Sequence, residues 1–159
     1  MSQMALQVVS HQEFENNFHI HRALKVLDKR IKTKGISITN STDLIAYLRL
    51  QLESEEREVF GVLFLDNQHR VIEFSRMFLG TINTCRVHSR EIVKAALLLN
   101  AAAVIFSHNH PSGIAEPSNA DRQLTESLST VLNLIDVRVL DHIVIGHGEA
   151  VSFAARGWI

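Results

Sequence analysis

The chain has 159 residues, of which 46% are apolar and 21% charged, and its 16 Lys and Arg against 17 Asp and Glu leave a net charge of −1. That is the make-up of a single soluble globular domain, and the even charge balance argues against a protein that coats nucleic acid or an anionic membrane. The single cysteine, Cys85, excludes an intrachain disulfide and a Cys-rich zinc knuckle. In chain order, residues 1–19 lack clear periodicity and are expected to form a loosely ordered arm, with the domain proper over 20–159. Met1 to Ser10 carries neither a cationic start nor a long apolar stretch, so no secretory signal is expected. From Ile20, the apolar positions Ile20, Leu24, Leu27 and Ile31 recur at helical spacing, and Gly35 is expected to end that helix. Ser41 caps a second helix with Leu44, Ile45, Leu48 and Leu52 on its apolar face.

Val59 to Leu65 is a nearly continuous apolar run that predicts a strand covered on both faces. Asp66-Asn67 supplies a turn, and Val71 to Phe78 predicts the hairpin partner. Arg90 to Asn100 predicts a helix, and Ala101 to Phe106 a short buried strand. The apolar-rich run Ala95 to Phe106 contains Asn100 and is too short to span a bilayer, which takes about 20 residues. A loop holding both prolines of the chain, Pro111 and Pro117, leads into a helix from Ser118 with Leu124, Leu128, Leu132 and Ile135 on one stripe. Val137 to Val139 and His142 to Ile145 look like strands, and Gly146 and Gly148 mark a last hairpin. Strands interleaved with helices predict an α/β or α+β domain, a mixed sheet with helices on both sides. A cytoplasmic protein without a membrane partner is expected.

The stretch that carries chemistry runs from Ser107-His108-Asn109-His110-Pro111 to Ser118-Asn119-Ala120-Asp121. On a strand, His108 and His110 would point to one face and Asn109 to the other. The proline loop would bring Asp121 back in the first turn of the next helix. Two imidazoles and a carboxylate leave a fourth tetrahedral position for water, as in a catalytic zinc site. Ser118-x-x-Asp121 is equally the signature of a helix capping box. A second His-x-His, His19-Ile20-His21, at the junction of the arm and the first predicted helix, is expected to mean nothing chemically. His142, within a strand, and His147, in a turn, are expected to be structural, and Cys85 a packed small residue.

His-x-His, seven residues, Ser, two residues, Asp is the spacing of the JAMM motif of JAB/MPN-type zinc metallopeptidases, and it fits at His108, His110, Ser118 and Asp121 without a gap. The text from Asn100 to Gly113, the upstream Val87-His88-Ser89-Arg90-Glu91 and the downstream Asp141 to Gly146 resemble the RadC family within that group. The resemblance covers about Ile20 to Ile159 and implies a JAB/MPN-like fold, a curved mixed sheet flanked by helices in cytidine-deaminase-like layers. It also implies the short form of the family, without the N-terminal helix-hairpin-helix region of full-length members. One zinc ion per chain is implied, held by His108, His110 and Asp121. A catalytic glutamate is implied at Glu58, just before the apolar run, with Glu91 as the reserve. Of Glu53, Glu55, Glu56 and Glu58, the last is the one whose pKa burial would raise.

On that basis Glu58 would act as general base and then general acid, and Ser118 would donate a hydrogen bond to the oxyanion, in hydrolysis of a peptide or isopeptide amide. Asn109 stands where deubiquitinases of the group have Ser or Thr, so ubiquitin-type specificity is not expected. An HNH nuclease scatters its three letters over a ββα unit, and a zinc deaminase needs cysteine pairs. The alternatives are a catalytically silent zinc-binding interaction module and a DNA-associated role. The latter would draw on the basic stretch Arg22, Lys25, Lys29, Arg30, Lys32 and Lys34, which a solvated helix face also explains.

Overall fold

The computed structural model describes residues 11–33, 41–80 and 86–159. Gly35, Lys34 and Cys85 therefore lie outside the described residues, as do the side chains of Arg30 and Lys32. Two helices open the chain, α1 (His11–Thr33) and α2 (Ser41–Leu52). The hairpin β1 (Val59–Leu65) and β2 (Val71–Leu79) follows, then α3 (Ser89–Leu98), β3 (Ala103–Asn109), α4 (Asn119–Asn133), β4 (Arg138–Ile145) and β5 (Ala150–Ser152). The five strands form one open mixed sheet in the order β2-β1-β3-β4-β5, in which only the β3–β4 pair is parallel. Among the described residues no helix is long and apolar enough to cross a membrane.

The two faces of the sheet are covered by different helices, and strand alternation sorts the side chains between them. Val59, Leu63 and Leu65 of β1 join Ile105 and Ile143 under Leu44, Leu48 and Leu52 of α2. Phe60, Val62 and Phe64 join Val104 and Phe106 under Ile92 and Ala96 of α3 and Leu128 and Leu132 of α4. Every residue of β1 and β3 is buried, which is why both read as unbroken apolar runs. Each fully buried Leu or Phe contributes about 1.5–3 kcal/mol, so neither face could be left to water.

Three features differ from the sequence expectations, each for a local reason. α1 reaches back to His11, into the stretch expected to be a loose arm. Residues 15–19 are exposed, Phe18 among them, so no buried stripe imposes a period that the sequence could display. β3 runs on to Asn109, because His108 and Asn109 are paired with Val144 and Ile145 of the parallel neighbour. β4 is one strand rather than two, with a register shift: Val104 pairs with Val139, and the next residue, Ile105, pairs with Asp141. The unmatched Leu140 breaks the alternation at that point. The parallel pair ends where Phe60 of β1 faces His108 across the sheet, and α4 begins at that same end.

Candidate metal centre

His108 shares a strand face with Val104 and Phe106, the face that α4 covers. Beyond the strand end, the backbone N–H of His110 still donates to the Ile145 carbonyl at 2.9 Å, which keeps the two histidines in extended register. Their rings stand side by side, with the Nε2 atoms 3.0 Å apart. Asp121, one turn into α4, places Oδ1 3.4 Å from His108 Nε2 and Oδ2 3.6 Å from His110 Nε2. The side chain of His108 is 1% exposed, Asp121 13% and His110 19%, so the group opens to solvent on the His110 side.

The loop between His110 and Asp121 is tied down along its length. His110 Nδ1 donates to the Ile114 carbonyl at 2.8 Å, which leaves its Nε2 lone pair facing the group. Gly113 has φ of +85°, and a Cβ there would meet the His147 ring at 2.6 Å, so the close pass of loop over hairpin needs glycine. The backbone N–H of His147 donates to the Gly113 carbonyl at 2.7 Å, and Ala115 N–H to Glu149 Oε1 at 2.7 Å.

Ser118 is the N-cap of α4, and a full capping box is formed. Its hydroxyl accepts from the Asp121 N–H at 3.1 Å, while its own N–H and hydroxyl each donate to Asp121 Oδ2 at 2.7 Å. The capping box is compatible with the ligand reading of Asp121, since the cap aims the carboxylate at the two imidazoles. Burial opposes ionisation of Asp121, but the neighbouring imidazoles of His108 and His110 and the hydrogen bond from Ser118 outweigh it and hold the carboxyl far below its usual range. The same carboxylate, against the effect of burial, draws the pKa of His110 upward.

Among the described residues, His108, His110 and Asp121 form the one group of His, Cys, Asp and Glu whose ligand atoms converge closely enough to hold a metal ion. Two imidazole nitrogens 3.0 Å apart repel unless a proton or a metal ion lies between them. A tetrahedral zinc with bonds of about 2.0–2.1 Å sets its ligands about 3.3–3.4 Å apart, and the observed 3.0, 3.4 and 3.6 Å bracket that spacing. Donor type, spacing and an open side all fit zinc.

Glu58 sits immediately before β1, half-buried. Burial raises its pKa; His108 and His110 pull it down and Asp121 pushes it up, so it lies within electrostatic reach of all three. Glu53, by contrast, is held below its ordinary value by its hydrogen bonds with Arg49. Glu58 is positioned by a residue that the sequence reading only turned away from the metal. Asn109 accepts from the Val59 N–H at 2.8 Å and donates to the carbonyls of Glu55 at 3.2 Å and Arg57 at 3.0 Å. The residue between the two histidines thus clamps the segment that presents the glutamate.

The other sequence candidates are placed elsewhere. Glu91 is exposed in the first turn of α3. His19 and His21 are on α1, where His21 Nδ1 bonds the Asn17 carbonyl at 2.8 Å. Arg22, Lys25 and Lys29 are exposed on the same helix. The sequence reading missed two neighbours of the ligands. His142 Nε2 is 2.8 Å from His108 Nδ1, and Thr125 Oγ1 is 2.6 Å from His142 Nδ1. His142 is 0% exposed, and burial, followed by its neighbour His108, pushes its pKa well below the ordinary value. A histidine in so apolar a strand had to have a partner, and that was the available signal.

Residues 38–158 match the family described as the RadC-like JAB domain. Among curated proteins, a "UPF0758 protein" of Vibrio cholerae is 50% identical over 140 residues, 88% of this chain and 87% of the relative. One from Cellvibrio japonicus is 54% identical over 89% of this chain and 59% of its own length, and one from Aeromonas hydrophila is 61% identical over 79% and 56%. The chain thus spans most of some relatives and little more than half of others, and their shared designation names no reaction.

Proposed function

This chain belongs to the RadC-like JAB domain family, and from that premise we propose that it is a zinc-dependent hydrolase of peptide or isopeptide amide bonds. The observation that carries the reading is the convergence of His108 Nε2, His110 Nε2 and the Asp121 carboxylate at a solvent-facing edge. Zinc held there supplies Lewis acidity, enough to bring the pKa of a water to about 7. The remaining chemistry falls to the chain's own residues. Glu58, lifted by burial toward the range where a carboxyl both takes and gives protons, accepts the proton of the attacking water and passes it to the leaving amine. Asn109 keeps the backbone around Glu58 in place during that exchange. Ser118 releases its hydrogen bond to Asp121 and donates to the oxyanion as charge builds there. The substrate is a protein or peptide approaching from the His110 side.

The deciding experiment is metal stoichiometry, by native mass spectrometry on protein purified and then equilibrated with zinc. One zinc per chain is expected, and with it hydrolysis of members of a peptide and isopeptide panel that a chelator abolishes. Protein that takes up no zinc would overturn the reading.

A further inference from the structure

The buried atoms behind His108 form a continuous relay whose direction is fixed from one end. The Asp121 carbonyl can only accept, and Thr125 Oγ1 donates its one proton to it at 2.7 Å. Toward His142 Nδ1, 2.6 Å away, that hydroxyl can then only accept, so Nδ1 of His142 carries the proton. With its proton on Nδ1, fully buried His142 keeps its lone pair on Nε2, and the rings of Phe60, Phe106 and Phe153 packed round it offer neither a counter-charge for a second proton nor a donor for that lone pair. It accepts from His108 Nδ1 at 2.8 Å. A neutral His108 protonated on Nδ1 has its Nε2 lone pair turned into the ligand group.

We propose that Thr125 and His142 are positioning residues of the metal centre: their relay holds His108 in the tautomer that can bind a metal and ties its ring to the backbone of a second candidate ligand, Asp121. The proposal rests on the zinc reading above and adds to it. The two ligands come from different elements, β3 and α4, and the relay is what sets one against the other. Without the Thr125 hydroxyl nothing dictates the direction. His142 then becomes free to carry its proton on Nε2, His108 turns from donor to acceptor, and the proton of His108 moves to Nε2, where the metal would bind.

Thr125→Val keeps the volume and removes the hydroxyl, and Thr125→Ser keeps the hydroxyl. Zinc affinity of the full chain is measured by competition with a chromophoric chelator. Thr125→Val should bind zinc about 10–100-fold more weakly, and Thr125→Ser should restore affinity to within about threefold of wild type. A residue that only fills space in α4 would give the opposite ranking, because valine is the closer match in shape. Equal affinity in wild type and Thr125→Val overturns the proposal. The second readout needs no metal: 15N shifts of the imidazoles in chelator-stripped wild-type protein should report Nδ1–H for both His108 and His142. An Nε2–H tautomer at His108 overturns the relay even if zinc binds. If wild type binds no zinc while the shifts give Nδ1–H at both histidines, the zinc reading falls and the relay stands.

Discussion

The chain contains His-x-His twice, and the two copies behave as differently as two identical spacings can. In His19-Ile20-His21 the backbone is helical, and residues two apart on a helix project roughly 200° apart, away from each other. Both imidazoles are exposed, and one spends a nitrogen on the carbonyl of Asn17. In His108-Asn109-His110 the backbone is extended, so the same spacing puts both rings on one side with their Nε2 atoms 3.0 Å apart. The middle residue differs in the same way. Ile20 is half-buried at a helix surface, whereas Asn109 is 2% exposed and makes hydrogen bonds to the segment before β1. A spacing acquires chemical meaning only on a backbone that makes it converge.

The largest effect that could break this comparison is loss of the metal. His110→Ala should fall from one zinc per chain to none by native mass spectrometry, with unchanged far-ultraviolet circular dichroism, because a partly exposed ligand at a strand end does not hold the core together. His19→Ala and His21→Ala should keep their zinc. If all three variants behave alike, the strand copy has no special status. Glu58→Gln sharpens the same contrast from the segment that leads into the neighbouring strand β1. It should keep zinc, because Glu58 is not among the converging ligands, and lose amide hydrolysis altogether. Zinc loss in that variant would make the glutamate a ligand, and full activity would remove it from the reaction.

The middle residues come next. Asn109→Ala strands the Val59 N–H in a buried position and frees the Glu55 and Arg57 carbonyls, at a cost of about 1–3 kcal/mol. Hydrolysis should fall with stability, since Glu58 lies in the released segment, while zinc stays. Ile20→Ala, with only a half-buried side chain, should cost about 1 kcal/mol and leave hydrolysis alone. Urea midpoints for the pair, read beside their hydrolysis rates, check the difference. Equal midpoints would mean that the Asn109 clamp contributes nothing beyond an ordinary surface contact.

The comparison also explains what was legible in the sequence. Apolar runs such as Val59–Leu65 announce strands buried on both faces, and the stripe Leu128–Leu132 announces a helix packed on one. His108, His110 and Asp121 were legible because one strand, one loop and one helix turn bring them together within a short stretch of chain. The relay was not. His142 is 34 residues from His108, and Thr125 is 17 from His142, so their meeting depends on β4 lying parallel beside β3 under α4. The Leu140 bulge hid that pairing further by splitting β4 into two apparent strands. Asn109 was legible as a residue facing away from the candidate metal site but not as a clamp, since its partners lie 50 or more residues upstream.

The smallest expected effect on stability is that of Ser118→Asn, at a second piece of text whose meaning depends on the backbone beneath it. As N-cap the serine receives the Asp121 N–H, and Ser118→Ala should cost about 0.5–2 kcal/mol of stability. Ser118→Asn should recover most of that, because its side-chain oxygen caps as well. The catalytic part of the serine does not transfer so easily. Its hydroxyl hydrogen, which points at Asp121 Oδ2, is the one proposed to turn to the oxyanion, and an asparagine that caps has its amide hydrogens pointing elsewhere. Ser118→Asn should therefore melt near the wild-type temperature and still hydrolyse slowly, by about 3 kcal/mol of barrier. Ser118→Asp should be slower again, since a carboxylate beside Asp121 repels the negative charge that forms. Melting temperature and rate on the same three variants separate the two roles. If Ser118→Asn restores both together, the serine is a cap that aims a ligand and takes no part in the bond-breaking step.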